Sequence, residues 1–348
     1  MESLIKVRKL KAGDRIAAVN LSSGLAGEIP YRYKVGKIQT QETFGIEIVE
    51  MQHTLKDFKW TKQNPEARAK DFMNAFKDQS IQGVITTIGG DDSILILPYI
   101  DYSIIRNNPK PFIGFSDSTI AHLICYKAGI TSFYGPSILA TFAENCGILP
   151  YTKKYFQKAI FETKPIGIIK PSEYWTDAFL DWFNHNNQSI KRPLELTSIP
   201  VLIQGEGITK GKLLGGCIQT LITVLGTELW PPKKYWKDAI VFFDISESPL
   251  PINIFKAFLR NVGAQGIWHS VRGIILGRPG GNRPKWKWEE YERELTNIIS
   301  GEFKCYDMPV LTRLDFGHTD PMMTLPYGAV AEINTHTWEF AILESCVF

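Results

Sequence analysis

The 348-residue sequence lacks most of the features that would place it in a specialised class at sight. No apolar run approaches the ~18–20 residues needed to span a bilayer. The opening stretch MESLIKVRKLKAGDRIAAVN holds no apolar segment of signal-peptide length, so neither membrane association nor classical secretion is expected, and a cytoplasmic protein is. Charge of one sign is scarce: 39 Lys and Arg against 36 Asp and Glu leave a net charge of +3, which excludes the electrostatic footprint of a nucleic-acid-polymer binder. Cysteine is sparse and scattered. Cys125, Cys146, Cys217, Cys305 and Cys346 form no CxxC pair, and an odd count at wide spacings fits neither a disulfide framework nor a zinc site. The six histidines show no HExxH pair, so no metal is expected. A G-x-G-x-x-G fingerprint and a Walker lysine are also missing, and no cofactor is expected.

What is there is an ordinary globular balance, 44% hydrophobic and 22% charged, over a length that suits two domains. Apolar β-branched runs recur, each followed by polar or glycine-rich punctuation and then a helical pattern. Arg15–Asn20 leads into Leu21-Ser22-Ser23-Gly24, Gly83–Ile88 into Gly89-Gly90-Asp91-Asp92, and Pro111–Phe115 into Ser116-Asp117-Ser118-Thr119. Strand, turn and helix in repetition predict βαβ units and a parallel sheet. Asn64–Lys77 reads as an amphipathic helix with Ala67, Phe72, Ala75 and Phe76 on its apolar side. The pattern loosens over 166–204, read as an aromatic and polar connection over a binding cleft, between a first α/β region (1–165) and a second (205–348).

Three places could carry chemistry. In Gly114-Phe115-Ser116-Asp117-Ser118 a serine stands between a buried strand and a helix start, as in a nucleophile elbow, although Ser118 replaces the second glycine of GxSxG. The plainer reading is that Ser116 or Asp117 caps the helix. Gly89-Gly90-Asp91-Asp92-Ser93 is a second strand-to-helix turn whose glycines allow backbone N–H groups to approach a substrate oxygen, or it is merely a tight turn. A serine hydrolase needs a base and an orienting acid. His318, in Leu314-Asp315-Phe316-Gly317-His318-Thr319-Asp320-Pro321, has the context of a loop-borne base, whereas His122 lies within a helical pattern and reads as packed. Asp244 ends the apolar strand Ala239–Phe243, where α/β folds present carboxylates.

Taken together these residues resemble the LD-carboxypeptidase family of serine peptidases. The resemblance runs through GDRIAAVNLSSG, TTIGGDDS, LPYIDY, NPKPFIGFSDST, FYGP and LLGGCIQTLITVLGT, then AIVFFDISES, FLRNVGAQGI, GIILGRP and DFGHTDPMMTLPYGA, in family order over nearly the whole chain. The GGDDS turn is similar to that of the microcin-immunity branch. The murein-recycling branch tends to carry Arg-Gly-Gly-Tyr-Gly there, and Ile88 stands where that arginine would be.

The resemblance implies an N-terminal Rossmann-like parallel-sheet domain, a C-terminal α/β domain and an active site between them. It places the nucleophile on Ser116, the base on His318 and the acid on Asp244, where the family has a glutamate; Glu247 stays open as the alternative acid. The oxyanion hole falls on the Asp117 N–H and an N–H of Gly89 or Gly90. The substrate implied is a small peptide or a peptidyl or aminoacyl nucleotide; a murein tetrapeptide, or a binding protein with weakened catalysis, are the alternatives. A homodimer is implied as well. Ser172–Phe183 carries Tyr174, Trp175, Phe179, Trp182 and Phe183; most of these rings are expected to pack the interdomain seam. Trp175 and Trp182 are the candidates to lie exposed and stack on a nucleobase, Trp175 favoured for its polar neighbours.

Overall fold

A computed structural model describes residues 4–197 and 200–348, so that residues 198 and 199 of the expected connection lie outside the described residues. The first of two large sheets has the strand order Leu325–Pro326, Phe133–Tyr134, Phe112–Gly114, Gly83–Thr86, Arg15–Val19, Glu47–Glu50. All neighbours run parallel except Leu325–Pro326, which lies antiparallel to Phe133–Tyr134. Gly83–Thr86 is buried at every residue, as a strand covered by helices on both faces must be, which is why it reads as a continuous apolar run. Among the covering helices are Pro65–Lys77, which starts on a proline suited to its first turn, and Thr119–Ala128, ended by Gly129 at φ 84°.

The second sheet has eight strands: Gly167–Ile169, Glu339–Ile342, Val330–Asn334, Ile208–Cys217, Ala239–Asp244, Gly273–Gly277, Val310–Leu314 and Val201–Gln204. The four from Ile208–Cys217 to Val310–Leu314 are parallel; the outer pairings are antiparallel. The segment 166–204 is therefore more than a connection, because Gly167–Ile169 and Val201–Gln204 form the two edges of this sheet. The expected α/β architecture of a parallel-sheet half and a second α/β half is present. Leu325–Pro326, late in the chain, nevertheless completes the first sheet. One contiguous apolar core, from Val7 to Val347, joins the two. No helix among the described residues is long and apolar enough to cross a membrane.

Candidate active site

Ser116 follows the buried strand Phe112–Gly114 and enters the turn Ser116–Ser118 and then the helix Thr119–Ala128. Its φ of 63° is left-handed, a conformation that costs a non-glycine residue roughly 1–3 kcal/mol and recurs where a fold over-determines a functional side chain. Capping does not explain the serine, since no side chain caps the helix. The Asp117 carboxylate instead turns away and accepts from Ser93 N–H at 2.9 Å, tying this elbow to the Gly89-Gly90 turn. Burial raises the Asp117 carboxyl above its ordinary range despite that bond.

Gly89 lies directly against the serine: a Cβ built on it would stand 2.8 Å from Ser116 Cβ and 3.3 Å from Asp117 N. Ser22 packs in the same way on Gly90, and its Oγ accepts from the N–H groups of Asp91 and Asp92 at 3.1 and 3.2 Å. Arg68 Nη1 holds Asp92 at 2.7 Å. Among the described residues, no hydrogen bond outside the helices and strands takes up the N–H groups of Gly89, Gly90 or Asp117.

The opposite wall comes from the second sheet. Asp244 is the last residue of Ala239–Asp244 and is fully buried. His318 lies in the loop after Val310–Leu314, with its Nδ1 2.7 Å from Asp244 Oδ2. The contact is close but falls short of hydrogen-bond geometry, as both imidazole nitrogens and Asp244 Oδ1 count as buried without a hydrogen-bond partner. It is a close ion-pair contact between the imidazole and the buried carboxylate. Burial alone lowers the His318 pKa, but Asp244 and then Glu247 override it, and the net shift is upward. Glu247 meets the other nitrogen, its Oε2 lying 3.4 Å from Nε2, on a side chain 67% exposed. Gly317 fits tightly beneath the pair: at φ 91°, a Cβ there would overlap the Asp244 carboxylate.

Ser116, Gly89, Gly90, Glu247 and His318 share one cleft of about 970 Å³. No hydrogen bond joins Ser116 Oγ to His318. Cys217, the parallel-strand neighbour of Asp244, brings a thiol within 4.8 Å of the Asp244 and His318 ligand atoms, a set that a soft cation could bridge. Burial, reinforced by Asp244, raises that thiol well above its usual range, so a cation binding there would have to displace its proton. His122 is fully buried between Ser132 Oγ and the Gly114 carbonyl, each at 2.8 Å, and burial lowers it to about 3. It is a packed histidine, as its helical position suggested.

The aromatic segment departs from expectation. Trp175 is buried, packed edge-on against Trp288 at 5.1 Å with the Arg278 guanidinium 5.7 Å from its ring, and it does not line the cleft. Its pairing with Glu195 in a two-stranded ribbon turns it inward, so the expected exposure of Trp175 is corrected. Trp182 does line the cleft, half-buried, with Arg32 4.2 Å from its ring centroid. Phe179 and Phe183 line it too but are 70% and 59% exposed rather than packed in a seam.

Two partners escaped the sequence reading. Tyr134, in the short strand beside the elbow, accepts from Ser116 N–H at 3.1 Å and donates to Asp244 Oδ2 at 2.6 Å. Arg192 holds Asp320 at 2.7 Å and also pairs with Glu144, fastening the aromatic segment to the His318 loop. Tyr134 lies within the FYGP block, but nothing local tells that its hydroxyl reaches Asp244, 110 positions on, and Arg192 likewise meets Glu144 and Asp320 at 48 and 128 positions' distance.

Comparison with known proteins identifies the family. The family model for the LD-carboxypeptidase N-terminal domain matches residues 16–135, and that for the C-terminal domain matches 210–333. The microcin C7 self-immunity protein MccF of Escherichia coli is 30% identical over 344 residues, covering 96% of this chain and 94% of that protein. Among solved structures, an MccF-like protein from Streptococcus pneumoniae in complex with AMP has a TM-score of 0.86 at 29% identity, covering 94% of this chain and 98% of that one. MccF in complex with aspartyl sulfamoyl adenosine has a TM-score of 0.85 at 26% identity, covering 99% and 100%. Matched by both domain models in chain order and aligned almost end to end with such a relative, this chain belongs to the LD-carboxypeptidase family, peptidase family S66.

Proposed function

We propose that this protein is a serine-dependent hydrolase that cleaves a peptide or amide bond of an aminoacyl or peptidyl nucleotide through an acyl-enzyme. One observation carries the proposal: Ser116, in a left-handed elbow, faces the same cleft as His318, whose far nitrogen is backed by the buried Asp244. Ser116 Oγ attacks the carbonyl carbon while His318 Nε2 takes its proton, and Asp244 stabilises the imidazolium at Nδ1. The Asp117 N–H and one from the Gly89-Gly90 turn hold the developing oxyanion, helped by the helix Thr119–Ala128 that begins there. His318 returns the proton to the departing amine, and water, activated by the same base, releases the acyl group. Asp244 rather than Glu247 is the acid in this scheme, because the orienting partner must hold Nδ1 and leave Nε2 to the serine.

The nucleotide half of the substrate is supported by the relatives bound to AMP and to aspartyl sulfamoyl adenosine, and by Trp182, whose ring lines the cleft together with Arg32, the guanidinium lying over the ring. We assign base stacking to Trp182 and not to Trp175. Hydrolysis of an aminoacyl-sulfamoyl adenosine, measured beside a murein tetrapeptide, tests the reading. Faster turnover of the adenosine compound is expected, and preference for the tetrapeptide would move the substrate to cell-wall fragments. Ser116→Ala should lower kcat by several orders of magnitude; retention of more than about a tenth of the activity overturns the serine mechanism.

A further inference from the structure

Tyr134 ends the strand Phe133–Tyr134, and its buried ring reaches from the first sheet to the acid at the end of the second. Its hydroxyl lies 2.6 Å from Asp244 Oδ2 and 3.1 Å from Ser116 N. The direction of each bond is fixed by chemistry, since a backbone N–H only donates and an ionised carboxylate only accepts. The single phenol proton is thus committed to the acid, and a lone pair to the backbone of the serine. Burial, then the Asp244 charge, raises the phenol well above its ordinary range, so it stays a donor throughout the working pH range.

Two consequences follow from that position. Oδ2 is the oxygen that also faces His318 Nδ1, while Oδ1 has no donor among the described residues, so Tyr134 draws charge from the oxygen that meets the imidazole. At the other end, the bond to Ser116 N–H anchors a residue held at φ 63° and removes that N–H from any oxyanion role, leaving Asp117 to supply it. Resting on the function proposed above, we propose that Tyr134 is a positioning residue that locks the Ser116 elbow to the Asp244 carboxylate and sets how strongly that carboxylate holds His318. The titratable or charged groups around His318 are Asp244, Glu247, Arg283 and Cys217, and of these Tyr134 hydrogen-bonds Asp244.

The test needs no natural substrate. A fluorophosphonate reports the nucleophile directly: the Ser116 Oγ–P bond forms, the P–F bond breaks, fluoride departs and His318 takes the serine proton. Labelling rates are followed by intact mass against pH for the wild type, Ser116→Ala, Tyr134→Phe and Tyr327→Phe. Tyr327 is the control, a buried tyrosine whose hydroxyl donates to the Gly215 carbonyl at 2.6 Å and makes no bond to the triad. For Tyr134→Phe the plateau rate should fall about ten- to a hundredfold, the scale of a small misplacement of a reacting atom. Its acid limb should also move to higher pH, because an uncompensated Asp244 holds the imidazolium more tightly. Tyr327→Phe should lower Tm and leave the limb in place.

A Tyr134→Phe rate within twofold of wild type on an unmoved limb overturns the proposal. Should that variant fail to fold, 3-fluorotyrosine at position 134 keeps the ring and hydroxyl but donates more strongly, and the limb should move to lower pH; an unmoved limb again overturns it. A wild type that is not labelled, or is labelled elsewhere than Ser116, refutes the serine reading itself. Normal Ser116 labelling with unchanged Tyr134 profiles refutes only the role of Tyr134.

Discussion

The imidazole of His318 sits between two carboxylates, and the nitrogen each one meets separates their roles. Asp244 touches Nδ1 from a fully buried site, and Glu247 approaches Nε2 from solvent. Asp244→Asn should cut kcat about 10⁴-fold by supporting the wrong tautomer. Glu247→Gln should be mild in rate but should move the acid limb of kcat/KM slightly to lower pH, since Glu247 helps to raise the His318 pKa. If Glu247→Gln is the more damaging change, the acid is misassigned. The raised pKa has opposite signs for stability and for activity. The ion pair favours protonated His318, so its contribution to stability is full below the ordinary histidine range and is lost as pH rises through the elevated value. Activity needs the neutral base and should appear over that same rise. Gly317→Ala should damage both, because a methyl at φ 91° runs into the Asp244 carboxylate; wild-type kcat and Tm in that variant would contradict the packing described.

At the scale of elements, the aromatic segment buries one tryptophan and presents another to the cleft. Trp182→Ala should weaken an aminoacyl-adenylate mimic about 5- to 150-fold in kcat/KM, the equivalent of the ~1–3 kcal/mol that a base–aromatic stack is worth. A plain dipeptide amide should be nearly unaffected. Trp175→Ala should instead cost about 3–5 kcal/mol of stability, as other large core truncations do, and affect both substrates alike. Equal losses on the two substrates for Trp182→Ala would remove the support for a nucleotide. The Arg192 bonds to Glu144 and Asp320 tie this segment to the His318 loop.

Across the whole molecule, the two sheets are bound together by more than their seam. Leu325–Pro326 completes the first sheet, and the contiguous core spans both. The first sheet without that strand has an unpaired edge at Phe133–Tyr134, beside Tyr134 and the elbow. Thermal unfolding should therefore be a single cooperative transition monitored by calorimetry, with the signals of both halves lost together. Two separated transitions would show that the halves are independently stable.

Much of this was legible in the residues themselves. The buried parallel strands announce themselves as continuous apolar runs; Asp244 ends a strand, and Ser116 and His318 follow one within two and four residues, near the edge of a sheet. Local order also marked His122 as packed. What it could not determine was pairing between distant residues. Trp175 and Trp182 lie seven positions apart in similar polar surroundings, yet a ribbon pairing with Glu195 turns one inward and leaves the other at the cleft. The choice between Asp244 and Glu247 rests on which imidazole nitrogen each reaches, and Tyr134 matters only because folding brings it within 2.6 Å of a carboxylate 110 positions away. Strand, turn and helix are local balances of burial and backbone conformation and so are written in sequence; register, contact and direction arise when the two sheets close on each other, and only the tertiary structure decides them.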